Sequence, residues 1–393
     1  MSTVVVGAAL AGVRTVQALR RSGYDAPITM IGAEPHAPYD RPPLSKEFLL
    51  GKLGAEDVQL IDADALAALD VQLLSATRAT GLDVARREVT TDQGRVRFET
   101  LIVATGSSPR LLPGTQHLRG VHALRTIDDA VAIRDAFAAE ARVAVVGGGF
   151  IGAEVASSAR QFGLDVTVVD PLPALMMRGV GPAVGAALAN RHRDNGVRMR
   201  LGRCVSRVDG SDRVERLVLD DGTVIDADVV VVGIGVDAAV GWLAGSGLDV
   251  AGGIACDASL HVGDGIYAVG DVARVAGAHG QRRFEHWTNA GEQAVVLADV
   301  LTGGQRTYAP APYVWSEQLG TRLQVWGEVR PQDELHYLHG DADADEFVAA
   351  FGGDGALRAV VAYGARREAM QAQKMLRSGA MWEAGRGPVA QPE

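Results

Sequence analysis

Val143-Ala144-Val145-Val146-Gly147-Gly148-Gly149-Phe150-Ile151-Gly152 reads as a buried strand that ends in a glycine turn and opens a helix. Val166-Thr167-Val168-Val169 then delivers Asp170 at its end. The same order stands at the start of the chain, in Val4-Val5-Val6-Gly7-Ala8-Ala9-Leu10-Ala11-Gly12, with Glu34 closing the next apolar run. Glycine permits the tight strand-to-helix turn and lets backbone approach a pyrophosphate at the helix N-terminus, while the acid about 20 residues on receives ribose hydroxyls. One such motif is a weak signal, because a packed turn also needs glycine. Two, each with strand, helix and acid in place, imply two bound dinucleotides, read here as FAD at Gly7, Ala9, Gly12 and Glu34 and NADH at Gly147, Gly149, Ile151, Gly152 and Asp170.

The fold class expected is α/β: two Rossmann-like dinucleotide-binding domains, for FAD and NADH, plus a smaller C-terminal α+β domain. The length of 393 residues accommodates that division. A formal net charge of −10 argues against a general nucleic-acid binder. Apolar runs are of strand length, well short of the roughly 20 residues that span a membrane. The N-terminus enters a strand at Thr3 without a signal-peptide layout, so the cytoplasm is the expected location. Cys204 and Cys256 are the only cysteines. Neither has a close partner or a metal-ligand spacing, and both are expected as small buried residues. Residues 35–60 contain no cysteine, so a redox-active pair following the first dinucleotide motif is excluded.

Along the chain, the β-α-β pattern of 3–34 leads through a Pro-rich turn to a helical stretch around 44–52 and short strands to about 103. The segment Gly106-Ser107-Ser108-Pro109, with Pro113-Gly114 beyond, reads as a domain crossing. The second unit starts at Arg142, with its helix through Ala153–Phe162, and continues to Val229-Val230-Val231-Val232, where Gly233-Ile234-Gly235 breaks the run. A long helix is expected from Thr288 to Leu301. Past Pro310, strand-like segments (Arg322–Trp326, Glu346–Phe351, Leu357–Tyr363) precede a helix near Arg367–Arg377, and Asp341–Glu346 reads as a solvated hairpin or loop. The expected boundaries are 1–109 with 233–309 for FAD, 110–232 for NADH and 310–393 for the C-terminal domain.

Several further residues carry chemistry. Pro42 and Pro43 fix φ and stiffen the turn that presents Arg41 and Lys46. A cation near the flavin N1–C2 region or N5 would tune the bound ring. Ala104 lies in Leu101-Ile102-Val103-Ala104-Thr105-Gly106-Ser107, a strand entering a small-residue turn. Ile266-Tyr267-Ala268-Val269-Gly270-Asp271 places a carboxylate in a glycine turn, suited to a ribityl hydroxyl. Glu154, one turn into the second fingerprint helix, is assigned to positioning the nicotinamide or its carboxamide, with a helix-dipole role as the plainer reading. Trp287 and Trp315 are placed against the isoalloxazine edge, with core packing as the plainer reading. Asp170 would accept from both ribose hydroxyls and repel a 2′-phosphate, which favours NADH over NADPH.

Arg41-Pro42-Pro43-Leu44-Ser45-Lys46, Ala104-Thr105-Gly106-Ser107-Ser108-Pro109-Arg110, Leu124-Arg125-Thr126, Gly147–Glu154, Gly270-Asp271, Glu285-His286-Trp287 and Pro312-Tyr313-Val314-Trp315-Ser316-Glu317-Gln318 together give the chain a resemblance to a known family. It resembles the NADH-dependent ferredoxin reductases of bacterial oxygenase systems, the putidaredoxin reductase- and rubredoxin reductase-like group with the glutathione-reductase fold. The resemblance covers essentially the whole chain. It implies FAD contacts at Gly12, Glu34, Arg41, Lys46, Ala104, Arg125, Asp271 and Trp287. It implies NADH contacts at Gly147–Gly152, Glu154, Asp170 and Gly235, with Trp315 beside the flavin. Glu317 stands where the family more often has Asp.

The expected activity follows: hydride from NADH to FAD, then single electrons to a two-iron ferredoxin that feeds an oxygenase. Lys46, Glu154 and Trp315 are the catalytic candidates; no metal, membrane or nucleic-acid partner is expected. Such a carrier is commonly acidic, so Arg282, Arg283, Arg306, Arg322, Arg366, Arg367, Lys374 and Arg377 are candidates for a basic docking surface. The alternatives are a reductase of rubredoxin or another one-electron acceptor, an NADH-sensing flavoprotein, and an oxidase or peroxidase; the last is disfavoured because it lacks the flavin-proximal cysteine of peroxidases.

Overall fold

The computed structural model describes residues 2–139, 141–277 and 280–389. The chain divides into two compact units: Met1–Arg41, Ala55–Ser108 and Val236–Ala311 form one, and Pro42–Gly54, Pro109–Gly235 and Pro312–Glu393 form the other.

The first unit is built on a six-stranded sheet in the order His261–Gly263, Ile266–Ala268, Thr100–Val103, Thr3–Val6, Ile28–Ile31, Val71–Leu74. Its pairs are parallel except the one between His261–Gly263 and Ile266–Ala268. After Thr3 the strand Thr3–Val6 is all valine because it is covered on both faces, which removes the alternation of a half-exposed strand. Full burial of each such side chain contributes roughly 1.5–3 kcal/mol. Helices Leu10–Arg21 and Trp287–Leu301 pack on each other, burying Val13, Val16 and Leu19 on one and Ala290, Ala294 and Leu297 on the other. The long helix expected from Thr288 begins one residue earlier, at Trp287.

In the second unit a five-stranded parallel sheet runs Val197–Leu201, Val166–Asp170, Val143–Val146, Val229–Val232, Val121–Ala123. Helix Phe150–Gln161 crosses from Val143–Val146 to Val166–Asp170, with Ala153, Val155, Ala156 and Ala159 fully buried. Helix Ile127–Ala138 starts with a capping box, Thr126 Oγ1 accepting from Asp129 N at 3.1 Å and Asp129 Oδ2 from Thr126 N at 2.8 Å. From Tyr313 the chain forms antiparallel strands in the order Tyr313–Gln318, Thr321–Gly327, Ala356–Tyr363, Phe347–Gly353, Glu334–His339. Helix Arg366–Arg377 lays Ala369 and Ala372 into the cluster formed with Trp326, Val360 and Trp382.

Two local expectations need correction. The stretch around 44–52 is not an α-helix: Pro42–Ser45 is a single 3₁₀ turn, followed by hydrogen-bonded turns. Neither proline can donate a backbone hydrogen bond, and Gly51 turns left-handed at φ 71°. Cys204 is exposed rather than buried, while Cys256 is buried as expected.

Candidate functional site

Both glycine turns are held by the same steric device. A Cβ on Gly7 would overlap the Ala104 carbonyl, and one on Gly12 the Gly7 carbonyl. In the second unit a Cβ on Gly147 would overlap the Gly233 carbonyl, and one on Gly152 the Gly147 carbonyl. Gly7 and Gly147 also hold positive φ, at 120° and 112°. These four glycines are therefore required by the turn itself. Gly149 differs: an added Cβ would meet nothing within 4 Å. Its missing side chain leaves open space above the start of helix Phe150–Gln161. Neither that helix nor Leu10–Arg21 receives a side-chain cap, Gly149 and Ala9 occupying the N-cap positions. Their first-turn N–H groups are thus left for an anion, whereas helix Ile127–Ala138 satisfies its own. These turns fit a dinucleotide pyrophosphate, with the Ala9 methyl as the one departure.

Asp170 ends its strand, Val166–Asp170, as expected, while Glu34 stands in a bend three residues beyond Ile28–Ile31. Asp170 accepts from Gly148 N at 2.6 Å and Leu172 N at 2.7 Å, which fixes the carboxylate against the glycine loop. Arg203 donates its backbone N–H to the Asp170 carbonyl at 3.1 Å, and its guanidinium pairs with Asp221 at 2.9 Å. In the first unit Glu34 accepts from Arg41 at 2.7 Å and from the Tyr39 hydroxyl. The Arg41 guanidinium also lies over the Tyr39 ring, 5.2 Å from its centroid. Arg41 is thereby held beside Glu34 at the end of the proline-stiffened turn.

Lys46 has a different fate. Its Nζ lies 2.9 Å from Glu154 Oε2 and donates to the Pro42 carbonyl at 2.9 Å. Glu154 is only 4% exposed. Its carboxylate receives Ser45 Oγ at 2.5 Å and Ser316 Oγ at 2.6 Å, with Glu317 N at 3.4 Å. Ser158 Oγ donates to the Ser45 carbonyl at 2.7 Å, and Ser157 Oγ accepts from Leu319 N at 2.8 Å. One face of helix Phe150–Gln161 thus gathers the Pro-Pro-Leu-Ser-Lys turn and strand Tyr313–Gln318. A buried ion pair is tolerable when further hydrogen bonds satisfy both partners, and here they do. Sequence reading named Lys46 and Glu154 but not the serines that serve them. Ser157-Ser158 inside an otherwise apolar helix, and the Ser-x-Gln alternation of Ser316 and Gln318, were the available signals.

The remaining candidates are distributed as follows. Asp271 Oδ2 accepts from Ser107 Oγ at 2.9 Å, and Gly270 N donates to Gln293 Oε1 at 2.6 Å, so the Gly-Asp turn is fastened on both sides. Ala104 is buried against Gly7. Trp287 donates Nε1 to Asp40 Oδ1 at 2.8 Å and lies under the Arg14 guanidinium. Arg125 precedes the capping box, its N–H accepted by Asp129 at 3.0 Å. Gly235 adopts φ 102° and accepts from Arg110 N at 3.0 Å. Trp315 is half-buried; Tyr313 stacks on it at 5.8 Å and on Trp326 at 5.3 Å, with Arg322 over the Trp315 ring. Of the basic candidates, Arg283 pairs with Glu285 at 2.6 Å and Arg306 with Asp299 at 3.9 Å. Arg366, Arg367, Lys374 and Arg377 share one helix. Burial pushes the Cys256 thiol up to about 12, leaving it unreactive near neutrality. Among the described residues, no helix is long and apolar enough to cross a membrane.

Residues 1–294 match the family model for pyridine nucleotide-disulphide oxidoreductases, and residues 313–389 match the reductase C-terminal model. The chain is 38% identical over 386 residues to the ferredoxin–NAD(+) reductase component of an anthranilate 1,2-dioxygenase system from Burkholderia cepacia, covering 96% of this chain and 94% of that one. It is 37% identical over 353 residues to rhodocoxin reductase from Rhodococcus erythropolis, covering 88% and 82%. Its structure superposes with a TM-score of 0.92 on the reductase of a covalent putidaredoxin reductase–putidaredoxin complex, at 32% identity, covering 97% and 94%. With two uncapped dinucleotide turns and that C-terminal domain, the chain belongs to the pyridine nucleotide-disulphide oxidoreductase family and is an oxidoreductase that uses FAD and NAD(H).

Proposed function

We propose that this chain is an NADH:ferredoxin oxidoreductase that serves an oxygenase, taking a hydride from NADH and handing single electrons to a two-iron ferredoxin. The observation that carries the reading is a pair of dinucleotide turns in a chain whose two cysteines are both free, Cys256 being buried and Cys204 exposed. When bound, the flavin accepts an electron pair as hydride and releases it one electron at a time. No thiol relay is available to take the pair from it.

The division of labour we assign is the following. Gly7, Ala9, Gly12, Glu34, Arg41, Ala104, Arg125, Asp271 and Trp287 hold FAD, within a discontinuous domain of 1–109 and 233–309 apart from Arg125. Gly147, Gly149, Ile151, Gly152 and Asp170 hold NADH within 110–232, Gly235 joins them from just beyond that segment, and residues 310–393 form the C-terminal domain. Lys46 sets a positive charge beside the flavin ring, and Glu154 orients the nicotinamide. Trp315 would shield the bound ring from water. Asp170, fixed by Gly148 N and Leu172 N, favours NADH, because a carboxylate at this position of the motif repels a 2′-phosphate. The cytoplasm is the compartment proposed, in keeping with two unpaired cysteines.

The test is spectroscopic and then kinetic. Purified protein, reconstituted with FAD where needed, should be yellow and bleach with NADH. Cytochrome c reduction should then depend strongly on an added two-iron ferredoxin. Protein that stays colourless with FAD, or a bleached enzyme that no ferredoxin reoxidises, would overturn the reading.

A further inference from the structure

His192, in helix Pro182–Asp194, is 1% exposed, and its Nε2 lies 3.1 Å from Gln318 Oε1. Gln318 is equally buried and donates its Nε2 protons to Ser316 Oγ at 2.9 Å and Met176 Sδ at 3.1 Å. Ser316 Oγ in turn donates to Glu154 Oε1 at 2.6 Å. The directions in this chain are not interchangeable. An amide whose nitrogen donates twice offers only its oxygen to His192, so the imidazole proton must sit on Nε2. A hydroxyl that accepts from the amide keeps its single proton for Glu154. From His192 through Gln318 and Ser316, one proton of each group therefore points toward one buried carboxylate.

We propose that His192 is a positioning residue for Glu154, acting by fixing the amide of Gln318, which fixes the hydroxyl of Ser316 as a donor to the carboxylate. The assignment rests on the proposed function, in which Glu154 orients the nicotinamide. His192 Nδ1 has no hydrogen-bond partner among the described residues, an unusual state for a buried ring nitrogen. It is the counterpart of the required tautomer, because the proton that Nδ1 lacks is the one Gln318 receives. Burial holds the imidazole below its ordinary range, which keeps it neutral. With the opposite tautomer, a bare Nε2 would call the amide nitrogen to itself. Oε1 would then face Ser316, the hydroxyl would donate to it, and Glu154 would lose a donor in a site closed to water. The same amide steadies the coenzyme turn, since Met176 donates its backbone N–H to the Gly148 carbonyl at 2.7 Å.

Two measurements on the FAD-loaded enzyme and one control test this. Nitrogen-15 NMR of histidine-labelled wild-type protein should show His192 as a neutral ring protonated on Nε2; protonation on Nδ1, or a cation at pH 7, overturns the assignment. Stopped-flow bleaching by NADH should slow about tenfold in Ser316→Ala and at least fivefold in His192→Leu. His192→Gln, which returns an N–H at the Nε2 position, should stay within threefold of wild type. The double variant His192→Leu/Ser316→Ala should be no slower than Ser316→Ala alone, because both changes cut one chain. Ferricyanide oxidation of dithionite-reduced variants should remain within twofold of wild type. Multiplying losses in the double variant, or no rescue by His192→Gln, would show that His192 acts by packing and would overturn the assignment. A wild-type flavin that NADH does not bleach would overturn the proposed function itself, a failure distinguishable from the other two.

Discussion

Lys46 Nζ stands 2.9 Å from Glu154 Oε2, with the two side chains 11% and 5% exposed. This pair joins a proline-stiffened turn to the coenzyme helix, 108 positions later in the chain. Removing one partner should be far costlier than removing both. Lys46→Met and Glu154→Gln should each lose about 3–5 kcal/mol of stability, since either leaves a buried group without its complement. The double variant should recover at least half of the larger loss. Urea denaturation of the four proteins checks it, and additive losses would mean that the two charges are not coupled.

Gly149 and its neighbours should separate architecture from binding. Gly149→Ala places a methyl in open space, so the melting temperature should stay within about 2 °C of wild type, while KM for NADH rises tenfold or more. Gly147→Ala and Gly152→Ala drive a methyl into a backbone carbonyl and should yield little folded protein. Thermal melts and steady-state NADH kinetics distinguish the two classes.

Asp170 should govern coenzyme choice. Asp170→Asn should lower kcat/KM for NADH about tenfold and raise the NADPH-to-NADH ratio of kcat/KM, because a neutral amide no longer repels a 2′-phosphate. The exchange also leaves Gly148 N and Leu172 N to a single amide oxygen, so some loosening of the loop is expected. A ratio unchanged from wild type would count against the role given to this acid.

Asp228 offers a pH test remote from the site. Arg142 hydrogen-bonds it at 2.9 Å and holds its carboxyl well below the usual range, at about 2. A carboxylate with a depressed folded-state value stabilises above its unfolded value, near 4, and loses that contribution as pH falls toward 2. The pair is substantially exposed, so Asp228→Asn should cost no more than about 1 kcal/mol at pH 7. The gap between variant and wild type should close below pH 2.5 in denaturant titrations.

The two dinucleotide turns were legible because everything that defines them is local: valine runs buried on both faces, glycines where a Cβ meets backbone, and an acid at or just past the next strand's end. The long C-terminal strands and helix Arg366–Arg377 were likewise close to expectation. The surroundings of Glu154 were not legible, since Ser45, Ser316 and Gln318 come from segments over 100 positions away and no periodicity couples them. The turn after Pro43 was misread as helix because Leu44, Phe48 and Leu49 imitate helical spacing while contributing core side chains from successive turns. Cys204 was misjudged because one small residue between strands carries almost no burial signal.

The contrast between Gly149 and its flanking glycines bears on how this kind of turn would change over time. A descendant that abandoned its coenzyme would still be obliged to keep Gly147 and Gly152, or the strand could no longer hand over to the helix. The middle position alone would be at liberty to drift toward larger side chains. Loss of nucleotide use would thus be announced first at that site, while the outer pair persisted as an inherited framework.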